Sequence, residues 1–276
     1  PAAPATRRRA PGGVKVQHKD RVREEFTRQA SEYAAAPLIK DANHIARLVR
    51  EVAPRPNDRV LEIATGPGHV ALAFAPLCRE VVGIDLTEAP LKIAERMRTE
   101  RAIANARFEL ADADRVPFGE DEFDIVVCRF AVHHFDQPAR VIGEMARVCR
   151  PGGCIAIEDL VASEHPERAD YYNRFERLRD TSHTRALPLS ELVRTIAQAG
   201  AEIVRFSSDA ALNPVDGWIK SSHTPPEREA EVRAMLERDV REDLSGANTR
   251  FIDGALYFTH RLAIVVGRKF GPGAQA

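Results

Sequence analysis

From Arg59 onward, short and nearly continuous apolar runs alternate with longer stretches in which apolar residues return every three or four positions. The first rhythm is that of strands buried on both faces, as in Ile125-Val126-Val127-Cys128; the second is that of amphipathic helices. The pattern predicts strands at 59–64, 80–85, 106–112, 123–129, 153–158 and 201–206, and a last β-rich segment at 256–268. It predicts helices near 68–77, 88–104 and 137–149. Such alternation is that of an α/β domain, a mostly parallel sheet with helices on both faces.

Ahead of the first strand, Asp20 can cap a helix that carries Val22, Phe26, Ala30 and Tyr33 on one face. A second helix runs from about Leu38 to Val52 and is ended by Pro54 and Pro56. Residues 1–19, rich in Pro, Ala, Arg and Gly, read as a disordered leader, and 271–276 as a disordered tail. The domain between them, 20–270, has cap helices in 20–53 and two insertions, 161–190 and 214–248. The first insertion holds a helical pattern through Tyr171, Phe175 and Leu178; the second holds Trp218 and a charged helix from about Pro226 to Leu244. In open α/β sheets ligands bind beyond the carboxyl ends of the strands, which insertions after strands five and six overhang. They are expected to form a lid over a substrate, with surface helices or oligomer contacts as the other reading.

Composition narrows the class. Lys and Arg number 40 against 41 Asp and Glu in 276 residues, so the charge that nucleic-acid binding needs is missing. The four cysteines, at 78, 128, 149 and 154, show no C-x-x-C pair, which fits reduced thiols in a cytoplasmic protein. No apolar run approaches the ~20 residues of a membrane span, and Arg7-Arg8-Arg9 is not followed by the apolar segment of a secretion signal.

The candidate chemistry centres on Val60 to Leu72, which reads as a strand, a turn through Gly66-Pro67-Gly68, and a helix start. Gly66, Gly68 and Ala71 fit the dinucleotide fingerprint G-x-G-x-x-G/A, with Asp85 at the distance of a ribose-binding acid. Two other acids argue against a pyrophosphate: Glu62 just before the turn, which favours an ammonium group, and Asp112 at the end of the third strand. Strand four runs into Cys128-Arg129-Phe130-Ala131-Val132-His133-His134-Phe135-Asp136. Adjacent histidines diverge and no further Cys or Asp completes a ligand spacing, so no metal is expected. An imidazole titrating near neutrality suits a general base, and one of His133 and His134 is assigned that role, the other being structural. His183, His223 and Asp159 are alternatives. Phe26, Tyr171, Tyr172 and Trp218 offer an aromatic wall for a planar acceptor, or simply core.

Several motifs in fixed order carry a resemblance. They are Leu61-Glu62-Ile63-Ala64-Thr65-Gly66-Pro67-Gly68, Val82-Gly83-Ile84-Asp85, Ala111-Asp112-Ala113 with Val116-Pro117-Phe118, Phe123-Asp124-Ile125-Val126-Val127, and Arg150-Pro151-Gly152-Gly153. Over about residues 20–207 the chain resembles the class I S-adenosylmethionine (SAM) methyltransferases, closest to the branch that includes the ubiquinone and menaquinone C-methyltransferases. It departs from them at Ala64, where the commonest loop has a first glycine. The resemblance implies a Rossmann-like, seven-stranded sheet in the order 3-2-1-4-5-7-6, its last strand antiparallel. It implies SAM as cofactor, leaving as S-adenosyl-L-homocysteine, on a loop of Ala64, Thr65, Gly66 and Gly68. Asp85, with Leu86 beside it, would accept the ribose hydroxyls, Asp112 and Ala113 would meet the adenine, and Glu62 the ammonium group. Arg129 and Phe130 would flank the methionine part, and Tyr33 would close over it from the cap. The expected activity is methyl transfer to carbon or oxygen of a small organic acceptor, quinone-like, phenolic or of natural-product type, by a monomer or homodimer. The alternatives are an NAD-dependent oxidoreductase, weakened by Glu62, by Asp112-Ala113 and by the lack of a Ser…Tyr-x-x-x-Lys set, and a SAM-binding protein without methyl transfer.

Overall fold

The computed structural model describes residues 13–271. Nine strands form one sheet: β1 (Arg59–Ile63), β2 (Glu80–Asp85), β3 (Ala106–Leu110), β4 (Phe123–Arg129), β5 (Cys149–Ala162), β6 (Leu187–Pro188), β7 (Ala201–Pro214), β8 (Arg250–Ile252) and β9 (Ala255–Lys269). The main order is β3-β2-β1-β4-β5-β9-β7, with β6 on β5 and β8 on β9. With the two short strands set aside, this is the expected 3-2-1-4-5-7-6. From β3 to β5 the pairing is parallel, and β9 runs antiparallel between β5 and β7.

Apart from Glu62 in β1 and Asp124 in β4, the central strands are apolar between their ends because each face packs on a different core. Leu61, Ile63, Val126 and Cys128 join Ile142 and Met145 of helix α7 (Pro138–Val148) on one face. Val60, Ile125 and Val127 join Leu48 of α4 (Ala42–Val52) and Phe74 of α5 (His69–Phe74) on the other. A third cluster lies under the insertions. There α8 (Pro166–Arg179), α10 (Val215–Ser221) and α11 (Pro226–Glu242) bury Phe175, Trp218 and Leu236 against Phe258 and Leu262 of β9. Phe130, just past β4, belongs to this cluster too.

Several boundaries depart from the pattern. Helix α1 spans Gly13–Arg28, so residues 13–19, expected as leader, are helical; residues 1–12 and the tail 272–276 lie outside the described residues. The helix expected over 38–52 is two, α3 (Pro37–Lys40) and α4, because the Asp41 carboxylate accepts from the amides of Asn43 and His44 and starts a new helix. A short α2 (Ala30–Ala35) precedes them, and α6 (Glu88–Glu100) stops four residues before its expected end at 104. Strand β5 reaches 162 and β7 reaches 214, well beyond 158 and 206, and helix α9 (Leu189–Gln198) was not in the pattern read above.

Candidate active site

The strand order reverses between β1 and β4, and a cleft opens there beyond the strand ends, enclosing about 810 Å³, part of it open to solvent. At its far edge stand Asp112 and Ala113 after β3, at its middle Asp85, Leu86 and Thr87 after β2 with Ala64 and Gly66 after β1, and at its near edge Phe130 and His134 after β4. Helices α1 and α2 cover it with Phe26 and Tyr33, whose rings meet edge-on at 5.2 Å. A smaller extension holds Glu62, Thr65, His69 and Arg129, and shares Tyr33, Gly66 and Phe130 with the main cleft. Thus every residue expected to meet the cofactor borders this space except Gly68, and of the two candidate bases His134 borders it and His133 does not.

The turn after β1 is shaped by backbone geometry. Ala64, Gly66 and Gly68 have φ of +54°, +52° and +77°. The glycine that Ala64 replaces would be in its natural conformation here, so alanine carries left-handed strain at the cleft. Phe130, at the same level on β4, also has a positive φ, +51°. At Gly68 a Cβ would lie 2.8 Å from Ala94 of α6 and Phe108 of β3, so this glycine lets the turn pack against both and does not border the cleft.

Asp85 is anchored as a hydrogen-bond acceptor. One oxygen takes the amide of Gly66 at 2.9 Å, the other the amide of Thr87 at 2.9 Å. Burial outweighs these bonds and pushes its pKa up to about 6. Thr87 stands at the N-cap position of α6, but its hydroxyl caps none of that helix's amides. Glu62 is turned inward: one oxygen accepts from the Thr65 hydroxyl at 2.5 Å and the Ala71 amide at 2.8 Å, satisfying the start of α5. Burial raises it to about 7. The expected direct contact with an ammonium group is therefore restricted to its second oxygen. Arg129 does more than flank: its guanidinium, buried, binds Glu158 at 2.8 Å and the carbonyls of Ile39 and Leu38 at 2.9 and 3.0 Å, tying the cap to β4 and β5.

The segment read as a leader supplies two contacts that the sequence reading missed. Lys19 of α1 reaches Asp112 at 2.5 Å and Asp114 at 2.7 Å, and Asp112 is held below the usual carboxylate range by Lys19 and the Asp114 amide despite the opposing effect of burial. His18 meets the His134 carbonyl at 2.8 Å and the Thr184 hydroxyl at 3.2 Å. Helix α1 is thus strapped across the cleft from the β3 end to the lid. A helical face with a lysine three residues before Val22 was the available signal, hidden by the Pro- and Gly-rich residues ahead of it.

The two histidines have separate fates. His133 is buried with Nδ1 on Asp159; burial lowers its pKa, the Asp159 carboxylate more than offsets this, and the net shift is upward. It does not border the cleft. His134 borders the cleft, packed edge-on to Phe26 at 5.1 Å, and burial with the neighbouring His133 charge lowers it to about 4. Its Nδ1 lies 3.1 Å from the Ser182 hydroxyl, which donates to Asp180 at 2.5 Å. Since that hydroxyl proton is committed to Asp180, Ser182 accepts from His134, which places the His134 proton on Nδ1 and leaves Nε2 with a free lone pair.

Among the alternatives, Asp159 is occupied by His133, and His183 is buried against Asn173 at 2.8 Å. His223 borders none of the cleft, and of the proposed aromatic wall only Phe26 does. Tyr172 and Trp218 are core beneath the lid, and Tyr171 donates its hydroxyl to the Met235 carbonyl at 2.8 Å. Among the described residues no group of three or more His, Cys, Asp or Glu is placed to hold a metal ion, and no helix is long and apolar enough to cross a membrane.

Residues 61–157 match the family model described as a methyltransferase domain. The methyltransferase YcgJ of Bacillus subtilis is 33% identical over 214 residues, 76% of this chain and 83% of that protein. The crystal structure of BH2331 from Bacillus halodurans C-125 superposes with a TM-score of 0.79 at 31% identity, covering 83% of this chain and 100% of that one. The ubiquinone/menaquinone biosynthesis C-methyltransferase UbiE of Ectopseudomonas mendocina is 30% identical over 125 residues, 44% of this chain and 49% of its own length.

Proposed function

The chain belongs to the class I SAM-dependent methyltransferases, and we propose that it methylates a small organic acceptor held between the cofactor cleft and the lid. The observation that carries this is the layout of the cleft, which runs from Asp112 past Asp85 to His134 and ends against the apolar cluster under the insertions. The lining fits SAM: two separated carboxylates, Asp85 and Asp112, and a glycine turn whose backbone borders the cleft at Gly66. NAD is set aside with the family assignment.

In this reading Asp85 accepts from the ribose hydroxyls, Leu86 packs beside them, and Asp112 with the Ala113 amide receives the adenine edge. The free oxygen of Glu62 faces the ammonium end, while Ala64, Thr65 and Gly66 shape the turn beneath it. Tyr33 and Phe130 wall the methionine end, and Arg129 holds the cap in place. SAM supplies an activated methyl group on a sulfonium, so the protein has mainly to orient the acceptor and at most remove one proton. Nε2 of His134 takes that proton, and the charge it gains is relayed through Ser182 to Asp180. Carbon and oxygen acceptors with an acidic proton, phenolic or quinol-like, suit such a base, and the 30% identity to UbiE over part of the chain supports the same class.

The test is a methyl-labelled SAM assay on a panel of phenols and quinols. His134→Ala should lower turnover by about 10²-fold or more while leaving SAM affinity intact. The acid limb of the wild-type rate should fall near pH 4, following the lowered His134, and not near the 6 to 7 of an ordinary histidine. If turnover survives in that variant across pH, proton removal is not its task and orientation alone carries the reaction.

A further inference from the structure

Under the two insertions, three buried polar atoms make no hydrogen bond among the described residues: the Tyr172 hydroxyl, the Trp218 indole N–H and Nδ1 of His260. The residues are only 3%, 7% and 5% exposed. They come from three elements, α8, α10 and β9, yet lie together: the rings of Tyr172 and Trp218 are 6.3 and 6.2 Å from that of His260. Native proteins leave few buried polar atoms unpaired, because each forfeits its bonds to water and gains nothing in return. Three in one place, between a cofactor cleft and a lid, call for an explanation.

Their chemistry can be read from their neighbours. Burial opposes the charge on Glu176, but the hydrogen bond from His260 at 3.0 Å, with Arg179 at 3.7 Å, holds it far below the usual carboxylate range. The ionised Glu176 accepts the Nε2–H of His260, so in the neutral ring Nδ1 is an acceptor. Burial, the Glu176 charge and the Glu176 carboxylate within reach of its hydroxyl raise Tyr172 well above a free phenol, so the hydroxyl keeps its proton. The trio therefore offers two donors and one acceptor, the complement of a single hydroxyl group. Around it are apolar walls, Phe175 at 5.9 Å and Phe258 at 4.6 Å from the Trp218 ring, in a cluster that Phe130 links to the cofactor cleft. On the other side, Arg179 stacks over Trp218 at 4.7 Å and borders an open cavity between α1 and the lid, a route of entry.

We propose that Tyr172, Trp218 and His260 form the anchoring subsite for a hydroxyl of the acceptor, so that the substrate class is a hydroxylated aromatic whose apolar body lies along Phe258 and Phe175 toward Phe130. The subsite is closed in this structure, and the lid helices α8 and α10 part to admit the ligand. This assignment rests on the reading of the protein as a small-molecule methyltransferase.

Trp218 is the only tryptophan in the chain, which gives the subsite its own reporter. With S-adenosyl-L-homocysteine bound, para-butylphenol and butylbenzene are titrated against tryptophan emission and by calorimetry. The phenol should perturb Trp218 and bind on the order of tenfold more tightly than butylbenzene, the effect of one buried hydroxyl finding its partners. Tyr172→Phe, which keeps the ring volume, should cut that preference several-fold, leave S-adenosyl-L-homocysteine affinity unchanged, and leave thermal stability equal or higher. Equal binding of both probes, silent tryptophan emission, or a Tyr172→Phe variant with the preference intact would overturn the subsite; equal binding would assign the three atoms to ordered water. Failure of the parent reading is a different result, the absence of S-adenosyl-L-homocysteine binding or of labelled product with any acceptor.

Discussion

At the scale of single residues, the cleft is assembled from groups whose local situation is unfavourable without a ligand. Asp85 and Glu62 are carboxyl groups raised to about 6 and about 7. An acid with a folded pKa above its unfolded value of about 4 contributes stability that is whole below that value and is lost as pH rises through the folded one. The ligand-free protein should therefore lose stability between about pH 4 and 7 through these two groups. His134, lowered to about 4, acts oppositely, its contribution being whole above about 6.5 and lost as pH falls through 4. Asp85→Asn should lower stability at acid pH by about 1–3 kcal/mol, because its NH2 replaces one of the two oxygens that accept amides, and that deficit should shrink as pH rises from about 4 to 7, where the wild-type carboxyl loses its own contribution. The same variant should weaken SAM by about 1–3 kcal/mol. Urea unfolding on both sides of that window, with calorimetry of SAM binding, checks both; a deficit that stays constant across the window would mean that Asp85 is not strained. Ala64 is the second case. Left-handed backbone costs alanine about 1–2 kcal/mol and glycine's extra chain entropy about 0.5–1. Ala64→Gly should thus gain roughly 0.5–1 kcal/mol in a denaturant melt, and a loss of stability would show that the methyl group is needed for packing. Ala64 could be picked out in the sequence as a glycine replaced; its φ of +54° could not, because the strain lies in the turn and not in the residue type.

Elements show where legibility ended. The parallel strands were readable because burial on both faces writes nearly continuous apolar runs into β1, β2 and β4, whereas the order of the main sheet came from the family resemblance of the motifs. Strand β7 was cut short in the reading because beyond Phe206 it alternates exposed Ser, Asp, Ala and Asn, held by pairing to β9 and not by burial. In the same way α1 was begun too late. Its first residues follow a Pro-Gly-Gly run, and what fixes its later part on the cleft is tertiary, Lys19 on two aspartates and His18 on the lid. Asp180 and Ser182 went unread for the same reason: their meaning appears only once the lid folds back onto His134. The strap leads to a prediction at this scale. Lys19 is partly exposed, so the pair itself contributes under about 1 kcal/mol. Lys19→Ala should speed SAM dissociation by roughly two- to fivefold, with faster hydrogen exchange in α1 and unchanged exchange in β1 to β5. Stopped-flow release at the wild-type rate would leave α1 closed by other contacts.

Across the whole molecule, the two insertions and the sheet's late strands form one unit. The lid helices pack on β9, β9 also completes the main sheet, and the cofactor cleft touches both through Phe130. The packing of the insertions and the stability of the sheet edge are therefore linked through a single strand. Deleting residues 255–271 should abolish cooperative unfolding altogether, since it removes the partner of both β5 and β7; a truncated chain with a sharp, wild-type-like transition would show that β9 is only an edge support.

That strand also fixes an order of events at birth. Seen from a ribosome, β5 leaves the exit tunnel long before β9, and β7 emerges with its future neighbour still unmade. Until residues 255–269 are synthesised, β5 shows a bare edge of Ile155, Ala156 and Ile157, and β7 lacks the strand it pairs with. The nascent protein must wait with an unfinished sheet, and the interval is one in which chaperones have a defined stretch to guard.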